Sequence, residues 1–260
     1  TVFIDNSFKA KVVRSVLRFF YRFGFGHKNQ KVIFQNPHDK SFLLNWIGLS
    51  EKKAVLIRGS GVDLNFYQVV PEPVGIPVVT LVARLLKDKG VVEFVEASRI
   101  LKSRGVDVRM CLVGDIDKEN RTSVTKSTLD EWVSQELVEI WGFRKDINQV
   151  YAESNIACLP SYREGLPKSL IEAAACGRTV VTTDVPGCRD AIEPNITGLL
   201  VPVCDAVALA DALQFLIENP EKRKAMGQAG RVLAEREFTI EKVVDSHLDI
   251  YNELMNRAKV

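Results

Sequence analysis

The sequence predicts an α/β fold, a doubly wound, Rossmann-like parallel sheet, and two observations carry that expectation. From Pro77 onward, short apolar runs alternate regularly with helix-like segments. The runs read as largely continuous apolar stretches, not as strict alternation. Strands covered by helices on both faces read this way, because neither side of the sheet meets water. The composition agrees, with 46% hydrophobic and 26% charged residues in 260, which is that of a globular protein. No apolar run approaches the ~18 residues that a membrane-spanning helix needs.

The elements follow in order. Residues 8–23 read as a helix with Phe8, Val12, Val16, Phe19, Phe20 and Phe23 along one side. Lys11, Arg14, Arg18 and Arg22 recur at spacings of three and four, a basic stripe beside that apolar face. Residues 31–35 are a short strand, 37–46 a helix ending at Gly48, and 54–57 another strand. Strands are then expected at 78–82, 108–113, 138–141, 156–160, 179–183 and 198–201. Helices are expected at 90–104, 127–135, 147–153, 167–176 and 189–192, then 205–218, 220–235 and 240–256. The doubly wound part covers roughly residues 65–235, and its ligand belongs beyond the carboxyl ends of the strands.

Charge is unevenly spread. Residues 1–60 hold eleven Lys/Arg and three Asp/Glu, a net of +8, whereas the remainder holds twenty-four against thirty, a net of −6. Such a split points to an anionic partner for the first segment. The five cysteines, Cys111, Cys158, Cys176, Cys188 and Cys204, form no C-x-x-C pair and read as small buried apolar residues. Three scattered histidines make no metal site. A phosphate-binding Gly-x-x-x-x-Gly-Lys loop is absent, and Gly24-Phe25-Gly26 reads as a helix end.

The most informative stretch is Ser161-Tyr162-Arg163-Glu164-Gly165-Leu166-Pro167-Lys168-Ser169-Leu170-Ile171-Glu172, continuing to Gly177. It follows a strand and opens a helix. Pro167 suits the first helical position, where a missing N–H is harmless. Gly165 lets the backbone approach a ligand. The N–H groups of the first turn and the positive end of the helix dipole are suited to phosphate. Glu172, on the second turn, can accept two hydrogen bonds from a vicinal diol such as a ribose.

Two glutamates with seven residues between them, set in E-G-L-P…E-A-x-A-x-G, resemble the signature of glycosyltransferase family 4. Other blocks agree in order. Gly59-Ser60-Gly61-Val62-Asp63 resembles the N-G-V-D turn joining the two domains of that family, and Ala83-Arg84-Leu85 to Lys89-Gly90 resembles its G-R-L…K-G motif. Leu112-Val113-Gly114-Asp115 and Trp141-Gly142-Phe143 resemble its nucleotide-contacting loops. The resemblance spans nearly the whole chain and is greatest to the bacterial branch that builds capsule, O-antigen and exopolysaccharide units on a polyprenyl-diphosphate lipid.

The resemblance implies a GT-B glycosyltransferase that retains anomeric configuration. It implies that residues 1–60 are the last part of an acceptor-side domain, that 61–238 bind the donor, and that 239–260 form a helix returning toward the first domain. Most of that first domain is expected to lie outside this sequence, with its Gly-rich loop and a histidine near the reacting sugar. Arg84 and Lys89 are expected on the donor's diphosphate and, with Glu164 by the donor sugar, to do the catalysis. The backbone of Gly165, Leu166 and Pro167, with Lys168 and Ser60, is expected around the phosphates and sugar. Gly114, Gly142, Phe143 and Arg144 are expected near the nucleotide, and Glu172 on the ribose. The implied reaction transfers a hexose or N-acetylhexosamine from a nucleotide sugar, a UDP-sugar by expectation, to a lipid-linked saccharide. No cofactor or metal is implied, and no nucleic-acid partner; the place is the cytoplasm or the cytoplasmic face of the plasma membrane.

Several residues keep two readings. Arg144 is either a base-edge contact or part of a solvated loop. Asp115-Ile116-Asp117 is a D-x-D after a strand, read here as a polar loop and not as a metal site. The helix at 8–23 either packs on its own domain or lies on an anionic membrane surface, which would suit a lipid-linked acceptor. The chain as a whole is either a working transferase or a nucleotide-sugar-binding piece without turnover of its own.

Overall fold

The computed structural model describes residues 7–258. They divide into two compact units. One takes the described residues up to Arg58 together with those from Val243 onward; the other is Gly59–Lys242.

The first unit contains α1 (Phe8–Gly24), β1 (Val32–Phe34), α2 (Pro37–Leu43) and β2 (Ala54–Leu56). Strands β1 and β2 pair in parallel, and Phe34, Ile47 and Leu49 form a small core beside them. Helix α2 starts at Asn36, whose side chain accepts from the Asp39 N–H, and runs into a wide π turn, Leu44–Gly48. Helix α1 buries Ala10 alone. The apolar residues expected along one side of it face outward, with Phe8 81%, Phe19 68%, Phe20 61% and Phe23 82% exposed.

The second unit is built on β3 (Val78–Val82), β4 (Arg109–Val113), β5 (Glu139–Gly142), β6 (Ile156–Leu159), β7 (Thr179–Thr183) and β8 (Gly198–Val201). All six strands are parallel, in the order β5-β4-β3-β6-β7-β8. Successive residues feed opposite faces. Val79, Leu81, Ile156, Cys158 and Val181 meet α3 (Val91–Ser103), α4 (Lys126–Ser134) and α7 (Ala206–Glu218), while Ala157, Leu159 and Val180 meet α6 (Lys168–Ala175) and α8 (Pro220–Glu237). Tyr151 of the short helix α5 (Ile147–Ala152) joins the second face, and α9 (Ile240–Ala258) ends the described chain. The sheet order reverses between β3 and β6, so the crevice lies over their carboxyl ends.

The expected helix at 189–192 is a single 3-10 turn, Arg189–Ala191; three residues before Pro194 leave no room for an α-helical turn to repeat. Of the cysteines, four are buried as expected, and Cys204 is exposed.

Between Asp63 and Pro77 the chain forms no regular element and runs as a strap, with Glu72 at the amino end of the sheet beside Asn155. Arginines hold it. Arg178 donates to the Pro71 and Tyr151 carbonyls, Arg231 to those of Tyr67 and Ala175, and Arg223 binds Glu72 Oε2 through Nε at 3.0 Å and Nη2 at 2.8 Å. The Arg223–Glu72 pair is nearly dry, its side chains 6% and 9% exposed. Removing one partner of such a pair strands a buried charge. Arg223→Met is therefore expected to cost about 3–5 kcal/mol of unfolding free energy in urea, and adding Glu72→Gln to recover most of it.

Candidate functional site

Four neighbouring strand ends, β5, β4, β3 and β6, line one side of the sheet's carboxyl edge, with the reversal between β3 and β6. After β3 comes Arg84, after β4 Gly114, after β5 Phe143 and Arg144, and after β6 the loop from Pro160 to Pro167. Ala83, Arg84, Gly114, Asp117, Phe143 and Arg144 border a crevice of about 490 Å³. Two larger hollows, about 590 and 650 Å³, open at the amino ends of the strands, around Val108–Met110 and around Glu72–Arg178. The carboxyl end is where parallel α/β sheets bind ligands, so the smaller crevice is the candidate.

Arg84 lies exposed at the lip, its Nη1 2.7 Å from Asp117 Oδ2. The D-x-D stretch thus supplies a counter-ion to an arginine. Arg144 makes two hydrogen bonds to Asp146, at 2.8 and 2.6 Å. Those bonds raise the guanidinium and lower the carboxylate from their ordinary pKa values. Phe143 stands beside it, 64% exposed, an uncovered ring at the edge of the crevice.

Gly114 is required by the backbone before any ligand is considered. Its φ is +144°, and a Cβ there would lie 1.9 Å from the Ala83 carbonyl oxygen. Its N–H donates to the Gly142 carbonyl at 2.8 Å, so the ends of β3, β4 and β5 are stitched together at this point.

The loop after β6 is held against the turn before α3. Ser161 Oγ and the Tyr162 N–H both donate to the Asp88 carbonyl, at 3.0 and 2.9 Å. Gly90, at φ +73°, comes so near that a Cβ would sit 2.1 Å from the Pro160 oxygen. This close approach sets Lys89 beside Glu164, with Nζ 2.5 Å from Oε1 and side chains only 24% and 12% exposed.

Pro167 sits one residue earlier than expected. It is the cap residue, at φ −71° and ψ 119°, and Lys168 is the first residue of α6. The Pro167 carbonyl accepts from the Leu170 N–H, the duty of a cap. No side chain caps this helix. Leu166 and Pro167 are buried, Glu164 and Gly165 partly so, and Lys168 is exposed. The Gly59 turn backs onto Leu166, with an added Cβ 2.7 Å from Leu166 Cδ2. Ser60, next in that turn, is exposed and is not brought into hydrogen-bonding contact with the other candidates.

Glu172 is 6% exposed. Its Oε1 accepts from the Tyr67 hydroxyl at 2.5 Å and lies 3.4 Å from Lys168 Nζ. Burial, and then the Glu172 carboxylate, hold the Tyr67 hydroxyl far above its ordinary pKa, so it stays a proton donor. Tyr67 was not among the residues expected from the sequence. It lies in the strap, where no periodicity marks it, and only the tertiary contact reveals it.

The family described as glycosyl transferases group 1 matches residues 65–233. The chain belongs to that family. It is 33% identical over 234 residues to the N,N'-diacetylbacillosaminyl-diphospho-undecaprenol alpha-1,3-N-acetylgalactosaminyltransferase of Campylobacter jejuni, covering 85% of this chain and 60% of that one. It is 28% identical over 182 residues to the capsular polysaccharide biosynthesis glycosyltransferase CapM of Staphylococcus aureus, covering 70% of this chain and 47% of that one. A solved glycosyltransferase from Rickettsia africae superposes with a TM-score of 0.76 at 27% identity, over 88% of this chain and 64% of that one. The chain thus spans about half to two thirds of the lengths of these proteins. Its solved neighbours are GT-B glycosyltransferases, and its parallel α/β sheet is of that kind.

Gly114→Ala is expected to lower stability by about 2 kcal/mol or more, since the new Cβ meets a carbonyl at a φ that L-residues avoid. Thermal unfolding beside the wild type measures it.

Proposed function

We propose that this chain carries the donor site of a retaining, metal-independent glycosyltransferase of family 4. The reaction transfers a hexose or N-acetylhexosamine from a nucleotide sugar, a UDP-sugar, to a lipid-linked saccharide in cell-surface polysaccharide synthesis. The observation that carries the reading is the meeting of Lys89 and Glu164 at the sheet reversal, at the foot of the helix that bears Glu172.

The chemistry follows from charge. Breaking the anomeric bond leaves a nucleoside diphosphate that gains negative charge in the transition state. Lys89 and the uncapped start of α6 offer positive groups held in place for that charge, and Arg84 a movable one, which is electrostatic catalysis by donors aimed at the leaving group. They supply what a divalent ion supplies in other transferases. In this reading the Gly165–Pro167 backbone and Lys168 border the phosphates and sugar, with Ser60 on the neighbouring turn. Gly114, Gly142 and Phe143 border the base, and Arg144 meets the base edge if it leaves Asp146. Glu164 holds a hydroxyl of the donor sugar. Lys89 then serves two anions, Glu164 and the diphosphate, and Arg84 must loosen from Asp117 to reach the phosphate. The acceptor attacks from the face the diphosphate leaves, and the departing phosphate oxygen can take its proton.

The name of the Campylobacter relative includes a diphospho-undecaprenol acceptor, which supports a lipid-linked acceptor here. The outward Phe8, Phe19, Phe20 and Phe23 of α1, with Lys11, Arg14 and Arg18 on the same helix, support its contact with an anionic membrane surface. Among the described residues no helix is long and apolar enough to cross a membrane.

Calorimetric titration with UDP, GDP and ADP in EDTA tests the donor site. One nucleotide is expected to bind without metal. Glu172→Ala is expected to weaken it, and Lys89→Ala to weaken the diphosphate far more than the free nucleoside. Equal effects of Lys89→Ala on both would remove the phosphate role. Product formation with a lipid-linked acceptor separates a transferase from a donor-binding piece without turnover. Vesicles of phosphatidylglycerol should sediment the chain, those of phosphatidylcholine should not, and Phe19→Glu with Phe20→Glu should abolish the difference.

A further inference from the structure

The carboxylate of Glu172 is unevenly used. Oε1 accepts from the Tyr67 hydroxyl at 2.5 Å and faces Lys168 Nζ at 3.4 Å. Oε2 has no hydrogen-bond partner among the described residues, and it is not one of the buried polar atoms left unsatisfied, so it is open to solvent. One oxygen is anchored and the other is presented.

The anchor is itself fixed from several sides. Asp63 Oδ1 accepts from the Asn65 and Phe66 N–H groups, and the Asp63 carbonyl accepts from the Tyr67 N–H, which makes a tight turn. Arg231 Nη1 donates to the Tyr67 carbonyl at 2.7 Å and to the Ala175 carbonyl at 2.8 Å. One guanidinium therefore ties Tyr67 to the far end of the helix that carries Glu172. The Tyr67 ring is 8% exposed and packs edge to face on Phe66, with centroids 5.0 Å apart. Its hydroxyl has little freedom to do anything but donate to Glu172.

We infer that Tyr67 is a positioning residue for the donor site: its hydroxyl fixes the plane of the Glu172 carboxylate so that Oε2 is presented to the ribose diol. The inference rests on the proposed role of Glu172. Tyr67 touches no substrate; it acts by setting where the acceptor lone pairs point. A carboxylate that can rotate must be ordered as the ligand binds, and one already held does not, which is the general advantage of preorganisation. The role also gives selectivity, because only a ligand with hydroxyls gains from the held oxygen.

The test compares UDP with 2′,3′-dideoxy-UDP by calorimetry on the full chain, for the wild type, Tyr67→Phe and Glu172→Gln, with thermal unfolding of each. Tyr67→Phe removes one oxygen atom and keeps the ring. It is expected to weaken UDP about tenfold, the scale of one hydrogen bond to a charged group, and to leave the dideoxy compound unchanged. A general loosening of the fold would weaken both ligands alike, and that result overturns the positioning role. UDP affinity unchanged or raised in Tyr67→Phe also overturns it. Glu172→Gln reports on the underlying assignment. If it removes the preference for ribose while Tyr67→Phe does not, Glu172 keeps its place and Tyr67 loses its own. If Glu172→Gln leaves the preference intact, the ribose is bound elsewhere and both assignments fall. No binding of UDP, GDP or ADP by the wild type removes the donor-site reading and Tyr67 with it.

Discussion

The site depends on one backbone contact, the approach of Gly90 to the Pro160 carbonyl. A Cβ at residue 90 would overlap that oxygen, so the turn before α3 and the loop after β6 touch without side chains between them. These segments follow the two strands at which the sheet order reverses. The Lys89–Glu164 pair inherits its position from that contact. Lys89 precedes the glycine and Glu164 follows the loop's first turn, and their charges meet because their backbones already do. Two further hydrogen bonds to the Asp88 carbonyl repeat the tie.

Charge at this end is arranged in pairs. Arg84 faces Asp117, Lys89 faces Glu164, Arg144 faces Asp146, and Lys168 reaches Glu172. The pairs differ in cost. Arg84 and Arg144 stand near solvent, where an ion pair contributes at most about 1 kcal/mol and exchanges readily. The Lys89–Glu164 pair is mostly enclosed, so its geometry is stiffer. The crevice is thus bordered by Arg84 and Arg144, each paired with a carboxylate, and Lys89 lies outside its lining, held against Glu164.

Much of this was legible in the sequence, for physical reasons that vary by element. Strands β3, β7 and β8 fall on the expected residues because each is a short apolar or β-branched run, with β3 and β7 almost wholly buried, β3 following Pro77 and β8 opening at Gly198 and ending before Pro202. Helix ends moved by a residue or two, as with Pro167, because capping hydrogen bonds decide them and composition does not. The candidate residues at the strand ends could be named through the resemblance of their short motifs to those of glycosyltransferase family 4, with strand and glycine positions only placing those motifs on loops. Tyr67 could not. It lies in an irregular strap, and its partner is 105 residues away. The same holds for Arg223 with Glu72 and Arg231 with Tyr67, 151 and 164 residues apart. The outward face of α1 was visible as an apolar stripe; what the sequence left open was whether anything in its own unit covers it.

Those separations bear on how the molecule is made. The strap leaves the ribosome before any strand of the large sheet, yet the arginines that fix it belong to residues 178, 223 and 231. Closing loops of this length is costly until the sheet and its helices can reward it. Until α8 is synthesised and docked, Tyr67 lacks the Arg231 tie that holds it to the helix bearing Glu172. A nascent chain can therefore carry a formed sheet and still lack the finished pocket, which is completed only when the two ends of the second unit come together.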